Sequence, residues 1–291
     1  MHAQQRLFGA SRDGTLFEIN FATKKHVGVI GSGGGAVFCL TSLCPCCSNS
    51  NSNKSEKKYK CRGYIAAGCE DGSVRIYKAS SPIEDSTSAT GTNRPCLQLV
   101  STLPSASLAV TALAWKRGNN DDDYMGGSII YAGIADGTIR KYQCVSTLQS
   151  ARASGSSVHA ISTGLVLSGD NSGSSNNTSL RNIAHQWKPS IRMTLENKGK
   201  RTPTRIWALK ALDDGTVVSG DSMGNVQFWD GLSGALVQSF EHNMSKADVL
   251  DLAVSLDQSK VMACGIDSKV TCMGWMVESC LSIIYAIVVC A

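Results

Sequence analysis

The segment with the clearest chemical potential is glycine-rich and runs from Val27 to Val37 with the sequence VGVIGSGGGAV. It holds Gly31-x-Gly33-x-x-Ala36 after an apolar run. This spacing fits a dinucleotide-binding fingerprint, in which glycines let the backbone approach a pyrophosphate at a helix N-terminus. An amphipathic helix should follow such a loop, but VFCLTSLCPCC and a Ser/Asn tract follow here. A glycine-rich turn between two β-structured units is the alternative, and the missing helix favours it.

Cysteine is the second residue type with chemical potential, because the chain has 12 of them. The run Cys44-Pro45-Cys46-Cys47, with Cys61 downstream, is a weak candidate for a zinc cluster, since it lacks the paired C-x-x-C spacing of zinc sites. Other cysteines, such as Cys39, Cys69 and Cys264, lie in strand-like segments, where a free thiol packs as a small hydrophobe. We therefore predict no metal and no cofactor, and reduced thiols in a chain without a secretory signal.

The histidines do not form a catalytic set. The five of them are scattered along the chain, with no pair at metal-ligand spacing. His242 lies between the strand-like segments VQSF and DVLDLAV, where a hydrogen bond within a sheet is its simplest role. We predict that the protein is not an enzyme and has no small-molecule substrate.

One pattern recurs along the chain and indicates the elements that position all of these residues. It combines a small apolar run, a glycine, a two-residue turn ending in Gly, and an alternating strand that closes on an aromatic or aliphatic residue. The copies are Leu7–Ile19, Tyr64–Tyr77, Ile130–Tyr142, Val217–Asp230 and the fainter Met262–Val270. Gly adopts the positive φ that a tight hairpin turn requires. We therefore predict structural residues at the repeat turns and at the end of the fullest copy: Gly14, Gly72, Gly137, Gly224, Trp229 and Asp230.

Repeats of this kind are typical of a β-propeller, in which each repeat is one four-stranded blade. Four further apolar segments are expected to form the innermost strands: Ala36–Leu40, Leu108–Trp115, Thr204–Leu212 and Asp248–Val254. We predict an all-β WD40 propeller of about five blades. It is expected to be incomplete, because closed propellers use more blades or borrow them, so the chain is expected to be a fragment of a larger propeller or the product of a truncated gene model.

The repeats lie farther apart than the roughly 40–45 residues of one blade, and low-complexity inserts account for the excess. Blades are expected over residues 1–271, with inserts near 48–58, 80–93, 118–123 and 146–179. Such Ser/Asn-rich composition cannot bury enough apolar surface to order itself. The longest gap could instead hide an extra blade around Gly164–Gly173. A single blade with a long insert is favoured, because no strand ending in an aromatic residue follows closely.

Residues 272–291 form a strongly apolar tail, in which Glu278 is the one charged residue. A tail anchor would need about 17–25 apolar residues to span a bilayer. The unbroken apolar run after Ser282 has nine. A blade strand or an aberrantly translated end is therefore favoured, and a membrane partner is not expected.

The charge balance is mildly basic, with 28 Lys and Arg against 23 Asp and Glu and a formal net charge of +5. This balance alone does not identify a nucleic-acid-binding protein. Two local clusters are more informative, one around Lys54–Arg62 and one around Lys198–Arg205. Phosphate neutralisation dominates affinity for nucleic acids, whereas the alternative is a solvated charged loop. The candidate contacts to RNA or to a partner are Lys57, Lys58, Lys198, Lys200 and Arg201.

Several segments resemble the cirhin family of WD40 proteins, which are U3 small nucleolar RNA-associated proteins of the Utp type in the small-subunit processome. The resemblance rests mainly on the block RTPTRIWALKALDDGTVVSGDSMGNVQFWDGLSGALVQSF and the following KADVLDLAVS. It also covers RLFGASRDGTLFEIN, GCEDGSVRIY and RMTLENKGKRT. The resemblance implies two tandem propellers and a scaffold that assembles early on pre-ribosomal RNA, together with other Utp proteins.

The repeats and the resemblance together predict a non-catalytic scaffold in ribosomal small-subunit biogenesis, located in the nucleus and nucleolus. The expected partners are other Utp-type processome proteins, pre-rRNA and U3 small nucleolar RNA, contacted directly or indirectly. The alternative is a WD40 adaptor of an unrelated complex, such as a ubiquitin-ligase substrate receptor.

Overall fold

The computed structural model describes residues 6–20, 24–43, 63–79, 97–116, 127–149, 182–194, 204–241, 246–267, 269–278 and 281–290. These residues form strands and turns and contain no helix. In particular, the described part of the chain holds no helix long and apolar enough to cross a membrane. The strands are β1 (Leu7–Ala10), β2 (Thr15–Asn20), β3 (Lys25–Gly31), β4 (Val37–Leu43), β5 (Tyr64–Cys69), β6 (Val74–Ala79), β7 (Leu97–Thr102), β8 (Val110–Lys116), β9 (Ile129–Ile134), β10 (Thr138–Gln149), β11 (Asn182–Thr194), β12 (Ile206–Ala211), β13 (Thr216–Asp221), β14 (Asn225–Asp230), β15 (Leu236–Glu241), β16 (Val249–Val254), β17 (Lys260–Gly265), β18 (Lys269–Glu278) and β19 (Leu281–Cys290).

The strands form five antiparallel sheets, one for each repeat of the sequence. Each sheet is a meander of consecutive strands: β1 to β3, β4 to β7, β8 to β11, β12 to β15 and β16 to β19. The first sheet has three strands and the other four sheets have four. This arrangement confirms the predicted all-β WD40 propeller architecture, with five blades in the described part of the chain.

The first strands of the four-stranded sheets lie side by side, β4 on β8, β8 on β12 and β12 on β16. Each begins with a buried β-branched residue and has Leu three positions later, as in Val110 and Leu113. That β-branched residue packs closely against the second strand of the preceding sheet. A Cβ atom on Gly133 would lie 2.5 Å from Cγ2 of Ile206, so only glycine allows this approach.

The core lies between neighbouring sheets, and each of the four interfaces has its own apolar cluster. Examples are Leu16 with Tyr77, Ile76 with Ile130, Tyr131 with Trp229, and Phe228 with Val261. Burial of one such large side chain stabilises the fold by about 1.5–3 kcal/mol. Sheet-to-sheet packing therefore holds the described strands together.

The connections between strands fall on two edges of the sheets, because consecutive strands are antiparallel. One edge, here called the turn edge, carries the tight turns between second and third strands and the connections that lead into the next sheet. The backbone N–H of Ala106, in the connection from β7 to β8, donates to the carbonyl of Gly72 in the β5–β6 turn at 2.8 Å. The opposite edge, here called the insert edge, carries the remaining connections.

The four predicted inserts fall between first and second strands or between third and fourth strands, which end at the insert edge. Most of their residues lie outside the described part of the chain, as do Gly164–Gly173. The longest insert begins later than expected: Ser146 pairs with His185 and Gln149 with Asn182, so residues 146–149 belong to β10. The strands β10 and β11 that flank this insert are neighbours in one sheet.

Residues of the apolar tail lie in the fifth sheet. β18 extends to Glu278 and pairs with β19 along its length, from Lys269 opposite Cys290 to Glu278 opposite Leu281. The backbone hydrogen bonds of this segment are therefore directed to a strand ladder of the fifth blade.

Candidate functional site

The turn edge is the best-defined surface of the described chain, and glycines shape its turns. Gly14, Gly72, Gly137 and Gly224 have φ angles of 85°, 79°, 81° and 75°. Each glycine abuts the connection into the next sheet. A Cβ atom at Gly137 would lie 2.6 Å from the carbonyl oxygen of Thr204. A side chain at these positions would therefore strain the turn and displace the neighbouring connection.

Aspartates stabilise the same turns from within. The Asp71 carboxylate accepts hydrogen bonds from the backbone N–H of Ser73 at 2.9 Å and from its hydroxyl at 2.6 Å. Asp13 and Asp136 make the same pair of bonds to the residues two positions later. This is the Asx-turn geometry, in which a carboxylate substitutes for a backbone acceptor.

An arginine on β6 ties its own turn to the connection from the first sheet. The Arg75 guanidinium donates to the carbonyls of Ser32 and Gly33, the latter at 2.9 Å, and to the Asp71 carboxylate at 3.1 Å. Tyr77 donates its hydroxyl to the Ser32 carbonyl at 3.3 Å. These bonds fix a glycine-rich connection that has few side chains of its own.

The third sheet repeats this arrangement. Arg140 donates to the carbonyl of Ser105 at 3.3 Å, and Tyr142 donates to the carbonyl of Pro104 at 2.9 Å. Sequence reasoning did not single out this Arg and Tyr pair. The available signal was an Arg three residues, and a Tyr five residues, after the turn glycine in two of the repeats.

The fourth sheet carries the predicted Trp229 and Asp230 but lacks this arginine. Trp229 Nε1–H donates to the Ser219 hydroxyl at 2.9 Å within the sheet. Gln227 takes the place of the arginine, and its buried Oε1 has no hydrogen-bond partner among the described residues. Asp230 accepts the backbone N–H of Leu232 at 2.9 Å, so it stabilises the turn that follows β14.

A buried lysine joins the third and fourth sheets near this turn. Lys141 Nζ donates to the Gly231 carbonyl at 2.6 Å, and 5% of its surface is exposed. Burial lowers the pKa of Lys141, although the charge of Asp230 opposes this shift. Burial also raises the pKa of Tyr131 to about 12. Both groups are held in packed structure between sheets.

The charges of the turn edge are set mainly by local hydrogen bonds. Burial opposes ionisation of Asp71, but hydrogen bonds from Ser73 and the charge of Arg75 outweigh it and lower the pKa of the carboxyl. Burial has the reverse outcome at Asp221, where it raises the pKa despite hydrogen bonds from Asn225 and Met223. The Cys39 thiol is a poor nucleophile, because burial raises its pKa to about 12.

The glycine-rich segment whose spacing fits a dinucleotide fingerprint is a connection between sheets, as the missing helix favoured. β3 ends at Gly31, β4 begins at Val37, and the residues between them form bends with no helix. The Ser32 N–H donates to the Gly14 carbonyl at 2.7 Å, and the Gly34 carbonyl accepts the Asp71 N–H at 3.1 Å. The nucleotide interpretation fails here because no helix N-terminus follows the glycines.

The described residues include no group of three or more His, Cys, Asp or Glu placed to hold a metal ion. The cysteines of the weak zinc candidate, Cys44–Cys47 and Cys61, lie outside the described residues, as does His242.

The candidate contact residues Lys57, Lys58, Lys198, Lys200 and Arg201 also lie outside the described residues. The strands that flank them differ in position. Residues 44–62 come between β4 and β5 in the chain, and the facing ends of these strands lie at the insert edge. Residues 195–203 come between β11 and β12, and the facing ends of these strands lie at the turn edge. The described strand ends on either side of the two basic clusters therefore lie at opposite edges of the sheets.

The described end of the second cluster is ordered by an aromatic residue. The exposed Arg205 places its guanidinium carbon 5.8 Å from the Trp207 ring centroid, and its backbone N–H donates to the Ser222 hydroxyl at 2.9 Å. Trp207 Nε1–H donates to the Asp248 carboxylate at 2.8 Å. This group presents a cation, a half-buried indole and a carboxylate at the turn edge.

Comparison with curated proteins finds relatives that match only parts of this chain. A segment of 78 residues is 45% identical to U3 small nucleolar RNA-associated protein 4 of Schizosaccharomyces pombe and covers 27% of this chain. A segment of 50 residues is 48% identical to the Homo sapiens homologue of that protein, over 17% of this chain. The Saccharomyces cerevisiae protein of the same name is 36% identical over 75 residues, or 25% of this chain. These matches span 11%, 7% and 9% of the relatives' own lengths.

No family model matches the sequence. Among solved structures, a chain in the crystal structure of a mitotic checkpoint complex superposes with a TM-score of 0.52 over 93% of this chain and 59% of that one. The sequence identity is 14%, so this likeness concerns the fold alone.

Proposed function

We propose that this chain is a non-catalytic propeller scaffold that associates with U3 small nucleolar RNA and the small-subunit processome in the nucleolus. One observation carries the proposal: segments of the chain are 36–48% identical to proteins named for their association with that RNA in three species. Identity at this level over 50–78 residues supports a shared role more strongly than the common propeller fold does.

The chemistry of the described residues supports a scaffold over a catalyst. The polar groups of the turn edge are engaged in holding turns and connections, as Arg75 and Tyr142 illustrate. Burial raises the pKa of the thiols at Cys39 and Cys69 and therefore suppresses the reactive thiolate. Such a surface presents a fixed shape to large partners.

The finer parts of the proposal concern family and contacts. Membership of the cirhin family, with other Utp-type proteins and pre-rRNA as partners, is its most specific form. The proposed contact residues are Lys57, Lys58, Lys198, Lys200 and Arg201, because cationic side chains on connections are suited to neutralise phosphate. Arg205 and Trp207 add a described cation and aromatic group at the edge where the second cluster begins.

Affinity purification of the tagged full chain from cells tests the proposal. We expect U3 RNA, measured by quantitative reverse transcription, to be enriched together with processome proteins over an unrelated tagged propeller. Treatment of the bound fraction with ribonuclease distinguishes RNA-mediated from protein-mediated association. Recovery of ubiquitin-ligase subunits without U3 RNA would instead support the adaptor alternative and overturn the proposal.

A further inference from the structure

A β-bulge recurs at the same place in the inner strands β4, β8, β12 and β16. In each, the pairing with the second strand of the sheet passes over the second residue of the inner strand. The residues that are passed over in this way are Phe38, Thr111, Trp207 and Leu250. A bulge leaves its extra residue outside the ladder and re-aims the side chain. Each inner strand therefore presents one re-aimed residue near its start, at the turn edge.

Contacts between neighbouring inner strands place these residues in one row. Thr111 donates its hydroxyl to the carbonyl of Ile206, the first residue of the next inner strand. Trp207 Nε1–H donates to the carboxylate of Asp248, which immediately precedes β16, at 2.8 Å. The bulge residues of the inner strands therefore follow one another along the turn edge, and the set of four is here called the bulge row.

Trp207 is the largest member of the bulge row, and it remains accessible in the middle of the described strands. β12 has a described inner strand on each side, β8 and β16. Ile206 and Ala208 are nevertheless buried, whereas Trp207 between them is half-buried. Its bond to Asp248 holds the indole in one orientation. The row therefore offers a fixed aromatic surface, of the kind that dominates binding energy at protein interfaces.

Two exposed cations flank this indole. The guanidinium carbon of Arg205 lies 5.8 Å from the ring centroid, and the Arg205 carbonyl accepts the Ser222 N–H at 2.9 Å. Lys246 abuts the same β13–β14 turn from the other side, because a Cβ atom at Gly224 would lie 3.0 Å from the Lys246 Cα. Neither cation forms an ion pair with a carboxylate of the described residues. Both are therefore available to an acidic ligand group.

The charge of the whole edge favours a polypeptide over a nucleic acid as the ligand. The tight turns of the turn edge carry exposed carboxylates at Asp13, Glu70 and Asp71. A surface that binds the phosphate backbone needs an excess of cations, which these carboxylates oppose. The edge also exposes 45% of the apolar Leu108, in the connection that leads into β8. A local pair of cations beside apolar groups instead complements a protein segment that has an acidic and an apolar side chain.

We propose that the bulge row around Trp207 docks an extended segment of a partner protein in which an acidic residue stands next to a large apolar residue. The carboxylate pairs with Arg205 and Lys246, and the apolar side chain packs on the indole. The proposal does not depend on the proposed function. It rests on the repeated bulge, the accessible indole and the two exposed cations.

A phage library of random dodecapeptides, selected on the immobilised full chain, serves as the probe. We expect the enriched sequences to carry Asp or Glu next to Trp, Phe or Leu. The most enriched peptide is then synthesised with a fluorescent label, and its Kd for the full chain is measured by fluorescence anisotropy.

Arg205→Glu reverses one of the two charges and keeps the backbone N–H that bonds to Ser222. We expect it to weaken peptide binding by about tenfold or more, the loss typical of an interface hot spot. Lys188→Glu is the matched control, because it reverses the charge of an exposed residue on β11, and it should bind as wild type does. Equal urea midpoints for both variants and wild type show that folded chains are being compared.

A charge exchange gives a result that misfolding cannot produce. A peptide in which Lys replaces the acidic residue should bind Arg205→Glu more tightly than it binds wild type. Trp207→Ala should weaken both pairings, since both use the indole.

Three outcomes would overturn the proposal. Enriched peptides without the acidic and apolar pair would remove its ligand, and equal losses in Arg205→Glu and Lys188→Glu would remove its site. Displacement of the peptide by a single-stranded oligouridylate, with loss of oligouridylate binding in Arg205→Glu, would assign the bulge row to RNA.

Discussion

Arg75 reaches from β6 to the carbonyl of Gly33, 42 residues away in the chain, with an N–O distance of 2.9 Å. The same guanidinium contacts the Asp71 carboxylate of its own turn at 3.1 Å. One side chain therefore connects a repeat turn to the glycine-rich connection that leads into its sheet. The contact explains how a connection with the sequence GSGGG holds one conformation at the turn edge.

Replacement of Arg75 by Met should destabilise the fold, because the carbonyls of Ser32 and Gly33 lose their donor. We expect a loss of about 1–3 kcal/mol in the free energy of unfolding, measured by urea denaturation. Arg75→Lys should not restore stability, since a single ammonium cannot reproduce the planar fork of donors.

Arg192→Met is the matched control: its side chain is 61% exposed, and its pair with Asp136 spans 3.9 Å, so a change within about 0.5 kcal/mol is expected. Equal effects of the two Met variants would contradict the role given to Arg75.

Gly72→Val should destabilise the second sheet and its contact with the third. Gly72 has φ of 79°, and a Cβ there would lie 2.8 Å from the carbonyl oxygen of Leu108. Backbone strain and the clash together should cost about 2 kcal/mol or more in thermal or urea unfolding. Gly31→Ala is the control, because Gly31 has no positive φ and its Cβ would meet nothing within 4 Å. If both variants unfold like wild type, the turn is not under the constraint described here.

Two aspartates should affect stability with opposite pH dependence. The pKa of Asp71 is lowered in the folded chain, so its stabilisation is present above the unfolded value and is lost as the pH falls through the folded value. The pKa of Asp221 is raised by burial, so the stabilisation from its bound proton is present below the unfolded value and is lost as the pH rises through the folded value.

Asp71→Asn should therefore lower the melting temperature at pH 7, and this effect should shrink as the pH falls below the unfolded pKa value of 3.8, whereas Asp221→Asn should raise the melting temperature at pH 7. Differential scanning calorimetry across this range measures both. Asp71 is 42% exposed in its side chain, so its effect should be the smaller one. A decrease of the melting temperature at pH 7 in both variants would contradict the sign assigned to Asp221.

Neutralisation of the second basic cluster should weaken association with pre-ribosomal particles without unfolding the sheets. The change is Gln at Lys198, Lys200 and Arg201, and co-sedimentation across a salt series is the measurement. Each lost phosphate contact should make the log–log salt dependence shallower by about 0.7–0.9. Arg205 is kept, because its guanidinium lies over the Trp207 ring and the residue borders β12.

A matched variant removes the same charge elsewhere, with Gln at the exposed residues Lys25, Lys188 and Lys260. It should co-sediment as wild type does. Equal loss in both variants would indicate a general charge effect, and no loss in the first would indicate a solvated loop.

The sequence allowed those parts of the fold to be predicted that depend on local chemistry. A turn such as Gly137 is set by the φ that only glycine adopts easily, and an inner strand such as β12 by its apolar run. The end of β10 was missed, because Ser146–Gln149 are polar and read as part of the insert, while their pairing with β11 is not visible in composition. The Arg75 contact was missed for a similar reason: it joins residues brought together only when two sheets pack.

The two edges of the sheets differ in how much change in chain length they can accept. At the turn edge, each tight turn contacts the connection that leads into the following sheet. An added residue in such a turn would therefore disturb two blades. At the insert edge the short connections include Gly231–Ala235, where Leu232 is 81% exposed. Insertions are therefore expected to be tolerated better at the insert edge than in the tight turns of the turn edge. The same asymmetry makes the insert edge the place for a genetically encoded reporter or affinity tag.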